Sequence, residues 1–131
     1  MKFTLVDQVL EQSQDTIVTV KQVSQAEEYL ADHFPTFPIL PGVMMLEAMV
    51  QAASLLCSKN GQRLVLGEVK TVKYGAMVRP GDQLQIEVTA VKTNDDGSTS
   101  CKGKGTVHRN DTTETHTAVS GRFTIRPVRM S

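Results

Sequence analysis

Alternation of apolar and polar residues dominates the second half of the chain. From Gln83 to Val91 every second residue is apolar, and this period of two predicts a strand with one face on the core. Comparable stretches are separated by short turns that contain Gly, Asn, Asp or Pro, a pattern typical of antiparallel hairpins. We predict strands at Leu64 to Tyr74, Gln83 to Val91, Thr99 to His108 and Thr115 to Ile125. An earlier stretch rich in β-branched residues, Thr16 to Val23, predicts a further strand.

Small residues mark two places in this predicted sheet. Gly67 interrupts the first of the long strands and predicts a bulge, where one strand carries an extra residue. Cys101, Gly103 and Gly105 share the face of a later strand that would point to the core. Because glycine leaves room for the backbone of a neighbouring element, we expect a helix to lie close against that face.

The middle of the chain has the pattern of a long buried helix. Apolar residues surround the axis of a helix that would begin near Pro41 and end near Asn60-Gly61. Glu47, Gln51 and Ser54 are polar exceptions, and they fall on one line at helical spacing. A helix that is apolar on most sides is covered by protein, so we expect the sheet to wrap around it.

A stiff segment precedes this helix. Ser24 and Glu27 form a capping-box pattern for a short helix that would end near Leu30. Prolines then recur at every third position, the period of an extended polyproline-type segment, at Pro35, Pro38 and Pro41. This arm would lead from His33 to the start of the long helix.

The order of the predicted elements is strand, short helix, long helix and then several antiparallel strands, which is an α+β layout. A chain of 131 residues fits one domain, residues 1–131. An antiparallel sheet curled around one helix leaves an open edge, and such an edge invites pairing with a second copy.

Composition and charge narrow the classes of partner. Lys plus Arg number 14 and Asp plus Glu number 14, so no basic excess favours nucleic acid. Cys57 and Cys101 lack the spacing of a metal site, which favours reduced thiols and no metal. The N-terminus lacks the apolar core of a secretory signal, so we expect a cytoplasmic protein. Ile39 to Cys57 is nearly long enough to span a bilayer, but an acid at its middle argues against a membrane.

That acid is Glu47, the only charged side chain between His33 and Lys59. A carboxylate in an apolar segment costs free energy wherever the segment is buried, so we infer a role in acid/base catalysis. Gln51, one helical turn later, can hydrogen-bond Glu47 and hold its orientation. The alternatives are a Glu47 carboxylate that escapes to solvent or forms an ion pair with Lys70, Lys73 or Arg79, and a Gln51 that is a surface glutamine with no role.

The start of the long helix offers hydrogen-bond donors. The first N–H groups of a helix have no intrahelical acceptor, and Gly42 would leave those of Gly42 and Val43 uncovered. Such donors would hold a carbonyl oxygen whose negative charge grows as an enolate forms. An ordinary Pro-Gly turn is the alternative.

The three histidines are weak candidates by residue type alone. A histidine in a loop, such as His33, is more often a packed or exposed side chain than a catalytic one. We interpret His108 and His116 as surface residues.

The residues from His33 to Gln51 resemble a known active-site signature. They read His-Phe-Pro-x-x-Pro-x-x-Pro-Gly-Val-x-x-x-Glu-Ala-x-x-Gln, with fourteen positions from His33 to Glu47. This string is similar to that of the 3-hydroxyacyl-[acyl-carrier-protein] dehydratases of bacterial type II fatty-acid synthesis, which have the hotdog fold. Similarity extends to Leu5-Val6-Asp7-Gln8-Val9-Leu10 and to Pro80-Gly81-Asp82-Gln83-Leu84, and so covers most of the chain.

The resemblance implies a hotdog homodimer, often assembled into a trimer of dimers, with no metal or organic cofactor. The implied substrate is a 3-hydroxyacyl chain on acyl carrier protein. His33 of one protomer would remove a proton from C2, and Glu47 of the other would help the 3-hydroxyl leave as water, giving a trans-2-enoyl thioester. A backbone N–H near Gly42 and Val43 would polarise the thioester carbonyl.

Three departures from the family pattern qualify these expectations. Asp32 stands where glycine is usual, and its charge would raise the pKa of His33. Gln8 stands where arginine is common, and Tyr74 to Arg79 has fewer arginines than usual. Because basic side chains usually bind an acidic carrier, this chain offers fewer groups for docking acyl carrier protein. Two alternative functions remain: an acyl thioesterase of the same fold, and a non-catalytic acyl-binding partner subunit.

Overall fold

The computed structural model describes residues 4–23, 40–58, 62–109 and 113–128. The predicted short helix, the proline arm, Asp32 and His33 lie outside the described residues. Within the described ranges the chain forms six strands and one helix. The strands are β1 (Gln8–Gln12), β2 (Thr16–Gln22), β3 (Leu64–Tyr74), β4 (Gln83–Thr93), β5 (Thr99–His108) and β6 (Thr115–Pro127), and the helix is α1 (Gly42–Cys57).

The strands form one sheet in the order β1-β2-β4-β5-β6-β3, and every neighbouring pair is antiparallel. Tight turns set this pairing. Gly97, with φ +88°, completes the β4–β5 hairpin, and Gly81, with φ +93°, completes the turn before β4. A positive φ is costly for residues with a Cβ, which explains glycine at both positions. The α+β layout and the antiparallel hairpins predicted from sequence are therefore confirmed.

The core lies between α1 and the inner face of the sheet. Alternation along β4 works as predicted, since Leu84, Ile86 and Val88 are fully buried while Glu87 between them is exposed. Burying such side chains removes apolar surface from water, which stabilises the fold by about 25 cal/mol for each Å² buried. Three alanines are among the six buried residues of the helix, which are Met45, Ala48, Met49, Val50, Ala52 and Ala53.

Glycines on the inner face behave in two ways. At Gly103 a Cβ would lie 2.6 Å from Sδ of Met49, so the missing side chain lets α1 approach β5 as predicted. At Gly105 the nearest atoms belong to Val119 and Ile86, which are neighbours in the sheet and not in the helix. Gly67 lies at an interruption of the β3–β6 register, which confirms the predicted bulge.

The helix differs from its prediction in length and in cover. It spans 16 residues and ends at Cys57, and Ser58 follows as its C-cap, short of Asn60-Gly61. Its outer side is open in this chain, with Val43 61% and Leu55 50% exposed. The predicted length of the helix is therefore not confirmed, and its cover is incomplete in this chain, because Val43, Glu47 and Leu55 are exposed while the other residues of α1 are buried or half-buried. Nowhere in the described ranges does a helix combine the length and apolar character needed to cross a membrane.

Candidate active site

Four of the five predicted site residues lie on α1. Gly42 and Val43 form its first turn, and Glu47 and Gln51 follow along the helix. His33, the fifth, lies outside the described residues. The helix therefore places the predicted donors and the predicted acid on one rigid element. Each residue advances along the helix axis by about 1.5 Å.

The start of α1 is held by backbone contacts. Pro41 is the N-cap, with extended φ −61° and ψ 146°, and its carbonyl accepts hydrogen bonds from the N–H of Met44 at 2.9 Å and of Met45 at 3.3 Å. The N–H of Leu40 donates to the carbonyl of Val78 at 2.7 Å, which fixes the approach of the chain. The N–H groups before Met44 have no intrahelical acceptor and can bind a partly negative oxygen.

Tyr74, at the end of β3, forms a wall beside this helix start. A Cβ on Gly42 would lie 3.0 Å from both Cε1 and Cζ of the tyrosine ring, so glycine allows the ring to lie on the helix backbone. Tyr74 remains 49% exposed. The sequence analysis predicted Tyr74 as the end of a strand and as part of a departure from the family pattern, but not as a neighbour of the helix start. The contact joins distant positions and has no local sequence signal.

Glu47 is exposed on the outer side of α1 and is oriented by Gln51. Nε2 of Gln51 donates a long hydrogen bond of 3.4 Å to Oε1 of Glu47, the contact expected from their spacing. Oε1 of Gln51 accepts a shorter bond of 2.7 Å from the N–H of Leu5. Because Leu5 occupies the amide oxygen, the amide nitrogen is the end that faces Glu47. The contribution of the N-terminal segment was not anticipated from the sequence.

The ion pair considered as an alternative for Glu47 is not formed with Lys70, which pairs with Glu68 at 3.0 Å. No described residue forms an ion pair with Glu47. Glu47 itself is exposed in this chain, in agreement with the alternative of a carboxylate that faces solvent, although most of α1 is buried or half-buried. Its apolar neighbours Val43 and Leu55 share this open side.

The two described histidines differ. His116 is exposed and its Nε2 lies 3.5 Å from a Glu114 carboxylate oxygen, in agreement with the surface interpretation. His108 is half-buried at the end of β5, and its Nε2 is buried without a hydrogen-bond partner, so that interpretation is wrong for this atom. Among the described residues, no three His, Cys, Asp or Glu side chains are grouped as a metal site would require.

Comparison with known proteins places this arrangement in a family. The family model of the ApeI-like proteins, described as ApeI dehydratase, matches residues 9–119, which include α1 and most of the sheet. The chain belongs to the ApeI-like dehydratase family. The resemblance drawn from the signature string is thereby confirmed at the level of the family.

Curated relatives of this ApeI-like chain include 3-hydroxyacyl-[acyl-carrier-protein] dehydratase FabZ from several strains of Streptococcus pneumoniae. Identity is 44% over an alignment of 92 residues, and the match covers 67% of this chain. The match spans 66% of the length of those relatives.

Solved structures show the fold. The dehydratase heterocomplex ApeI:P from Xenorhabdus doucetiae superposes with a TM-score of 0.68 at 16% identity, covering 96% of this chain and 99% of that one. Streptococcus mutans smu.793 bound to acetyl CoA gives a TM-score of 0.70 at 14% identity, covering 98% and 92%. One helix on an antiparallel sheet is the α+β hotdog arrangement, so that part of the fold prediction is confirmed.

Proposed function

We propose that this ApeI-like protein dehydrates 3-hydroxyacyl chains carried on acyl carrier protein to trans-2-enoyl chains, as in type II fatty-acid synthesis. The observation that carries the proposal is the bridge from Leu5 through Gln51 to Glu47, because it orients a single carboxylate on the helix that begins with the free donors. Family membership and the similarity to FabZ supply the substrate class.

In this proposal each residue has one chemical role. His33 accepts the proton from C2 of the substrate, and N–H groups of Gly42 and Val43 stabilise the negative charge that develops on the thioester oxygen. Glu47 donates a proton to the 3-hydroxyl, which leaves as water. Gln51 is a positioning residue: its hydrogen bond to Oε1 of Glu47 leaves the other carboxyl oxygen for the proton that is transferred.

We further propose that two copies build each site, with His33 from one protomer and Glu47 from the other. Support comes from the open side of α1, where exposed Val43 and Leu55 flank Glu47 along the helix. A second copy over this side would remove both apolar side chains from water and lower the local dielectric around the carboxylate. A homodimer, alone or in a trimer of dimers, and a cytoplasmic location stay predictions.

The test follows enoyl thioester formation by absorbance, with 3-hydroxyacyl substrates of graded length on acyl carrier protein. We expect turnover without release of a free thiol, and loss of turnover in Glu47→Gln. Release of the carrier thiol without enoyl product would instead indicate a thioesterase. If neither product forms but acyl carrier protein or a related hotdog subunit binds, the non-catalytic alternative is correct and the proposed reaction is wrong.

A further inference from the structure

An ion pair holds the chain segment that contacts the start of α1. Arg109 directly follows β5, and Asp82 directly precedes β4. Nη1 of Arg109 lies 2.9 Å from Oδ2 of Asp82, and Nη2 donates a hydrogen bond of 3.2 Å to the carbonyl of Met77. The carboxylate is 9% exposed and the arginine side chain 26%. A charge withdrawn this far from water is costly unless it is paired, so the pair favours one arrangement of residues 77–82.

The peptide group between Val78 and Arg79 is held at both ends. Its N–H, which belongs to Arg79, donates to Oδ2 of Asp82 at 2.9 Å. Its carbonyl, which belongs to Val78, accepts from the N–H of Leu40 at 2.7 Å. A hydrogen bond to a carboxylate is stronger than a neutral one and polarises the peptide that donates it. Asp82 therefore both orients this peptide and strengthens its carbonyl as the acceptor for Leu40.

Leu40 connects this peptide with the helix start. It is 1% exposed and lies two positions before Gly42, and Pro41 between them is the N-cap of α1. Because proline fixes its own φ, few free torsions separate the held N–H of Leu40 from those of Gly42 and Val43. A shift of Leu40 would therefore move these donors. A misplacement of about 1 Å can cost about 100-fold in rate.

We propose that Arg109 and Asp82 are positioning residues for the donors at the start of α1, acting through the peptide that binds Leu40. The inference rests on the proposed function for its chemistry, since that function assigns these donors to the thioester oxygen. The order that the pair imposes on the helix start can be measured independently of that chemistry. Because the donors stabilise charge that develops in the transition state, loss of the pair should lower kcat and leave KM nearly unchanged.

The chain offers a matched control at the other end of β4. Asp96 lies three positions after this strand, and its Oδ1 accepts hydrogen bonds from the backbone N–H of Ser98 at 2.9 Å and from the Ser98 hydroxyl at 2.6 Å. Like Asp82, it is a carboxylate that binds the backbone of a turn. The eleven residues of β4 separate the two turns by roughly 35 Å, so Asp96→Ala should disturb its own hairpin and not the helix start.

The first measurement is amide hydrogen exchange of the full-length chain, followed by NMR. We expect Asp82→Ala to accelerate exchange at Leu40 by about tenfold or more relative to amides in the second half of α1. Arg109→Lys should have a smaller effect, because lysine keeps the charge but not the fork that binds two acceptors. Asp96→Ala should leave this ratio at its wild-type value. Asp82→Asn serves if the alanine variant fails to fold, with a smaller change in the same direction.

The second measurement is kcat and KM for enoyl formation by the same variants. We expect kcat of Asp82→Ala to fall about tenfold or more with KM within about threefold of wild type, and Arg109→Lys to retain more activity than Arg109→Ala. An unchanged exchange ratio at Leu40, a fall in kcat that Asp96→Ala shares, or a change in KM alone overturns the inference. If wild type forms no enoyl product, the proposed function is wrong, and the exchange ratio alone decides whether the pair orders the helix start.

Discussion

At the scale of single residues, Gln51 shows how one side chain can serve both stability and chemistry. Its oxygen accepts from the N–H of Leu5, a residue that is 1% exposed, and its nitrogen donates to Glu47. The first bond satisfies a donor near the core, and the second orients a carboxylate at the surface of this chain. These two roles can be separated by substitution, because glutamate keeps the acceptor but loses the amide donor.

Gln51→Leu and Gln51→Glu should therefore differ. Gln51→Leu leaves the N–H of Leu5 without its acceptor, so unfolding free energy should fall by about 1–3 kcal/mol in urea titrations. Gln51→Glu should retain most of that stability, since a carboxylate four residues after Glu47 costs only about 0.2–0.5 kcal/mol. Both variants should lower kcat, because both lose the donor to Glu47. Equal destabilisation by the two substitutions would show that the bond to Leu5 contributes nothing.

Glu47→Gln should remove activity and leave the fold intact. A general acid typically accelerates a reaction by about 10²–10⁴-fold, so kcat should fall by a factor of about 10² or more. Glu47 is exposed, and stability should change by no more than about 0.5 kcal/mol. The matched control is Glu87→Gln, an exposed glutamate on the outer face of β4, which should keep wild-type kcat. Activity of Glu47→Gln within a few-fold of that control would contradict the assigned role.

At the scale of elements, the sequence predicted those features of the fold that depend on residues close together in the chain. The period of two located β4, and a glycine inside an apolar stretch located the bulge at Gly67. The end of α1 was placed too late because Asn60-Gly61 is a strong stop signal, yet the helix ends after Cys57 and Ser58 caps it. The presence of apolar residues all around the helix axis also overstated the cover of α1, since an apolar residue that faces outward looks the same in sequence as one covered by the sheet.

Contacts between elements were beyond sequence reasoning. The bond from Leu5 to Gln51 joins residues 46 positions apart, and the ring of Tyr74 meets Gly42 from another element. Such contacts depend on how the elements pack, so no characteristic spacing of residues in the sequence reveals them. The signature string predicted the candidate site residues on α1, while the contacts around them are visible only in the tertiary structure.

Glycine substitutions test how tightly the elements pack. At Gly121 a Cβ would lie 2.6 Å from the carbonyl oxygen of Thr71, which belongs to the backbone of β3. At Gly103 the obstacle at the same distance is Sδ of Met49, the end of a flexible side chain. Gly121→Ala should therefore destabilise by about 2–3 kcal/mol and Gly103→Ala by about 1 kcal/mol, measured in urea. The reverse order would mean that helix packing is the more rigid contact.

At the scale of the whole molecule, the open side of α1 connects stability with assembly. Val43 is 61% exposed and Leu55 is 50% exposed on the same side of α1 as Glu47. Strands β1 and β3 lie at the two edges of the sheet formed by the described residues. Bulges at Gly67 and Lys70 twist β3, which limits pairing with arbitrary partners. A specific second copy would cover apolar area and enclose the carboxylate, which a single chain cannot do.

Mixed dimers test whether two chains share each site. If His33 and Glu47 act across the interface, a hybrid of His33→Ala and Glu47→Ala chains has one site with both defects and one with neither. Unfolding the two inactive variants together and refolding them should restore activity. Random pairing makes half of the dimers hybrids with one intact site of two, so recovery should approach about a quarter of wild type under two-fold symmetry.

The controls for this experiment are each variant refolded alone, which should stay inactive, and wild type refolded alone, which sets the recoverable activity. Size-exclusion chromatography should show that all samples reach the same oligomeric state. A dimeric mixture that remains inactive would place both groups in the same chain, because every site in a hybrid would then keep one defect. Recovered activity that follows the product of the fractions of the two chains, with a maximum at equal amounts, is expected for a site that needs His33 of one chain and Glu47 of its partner.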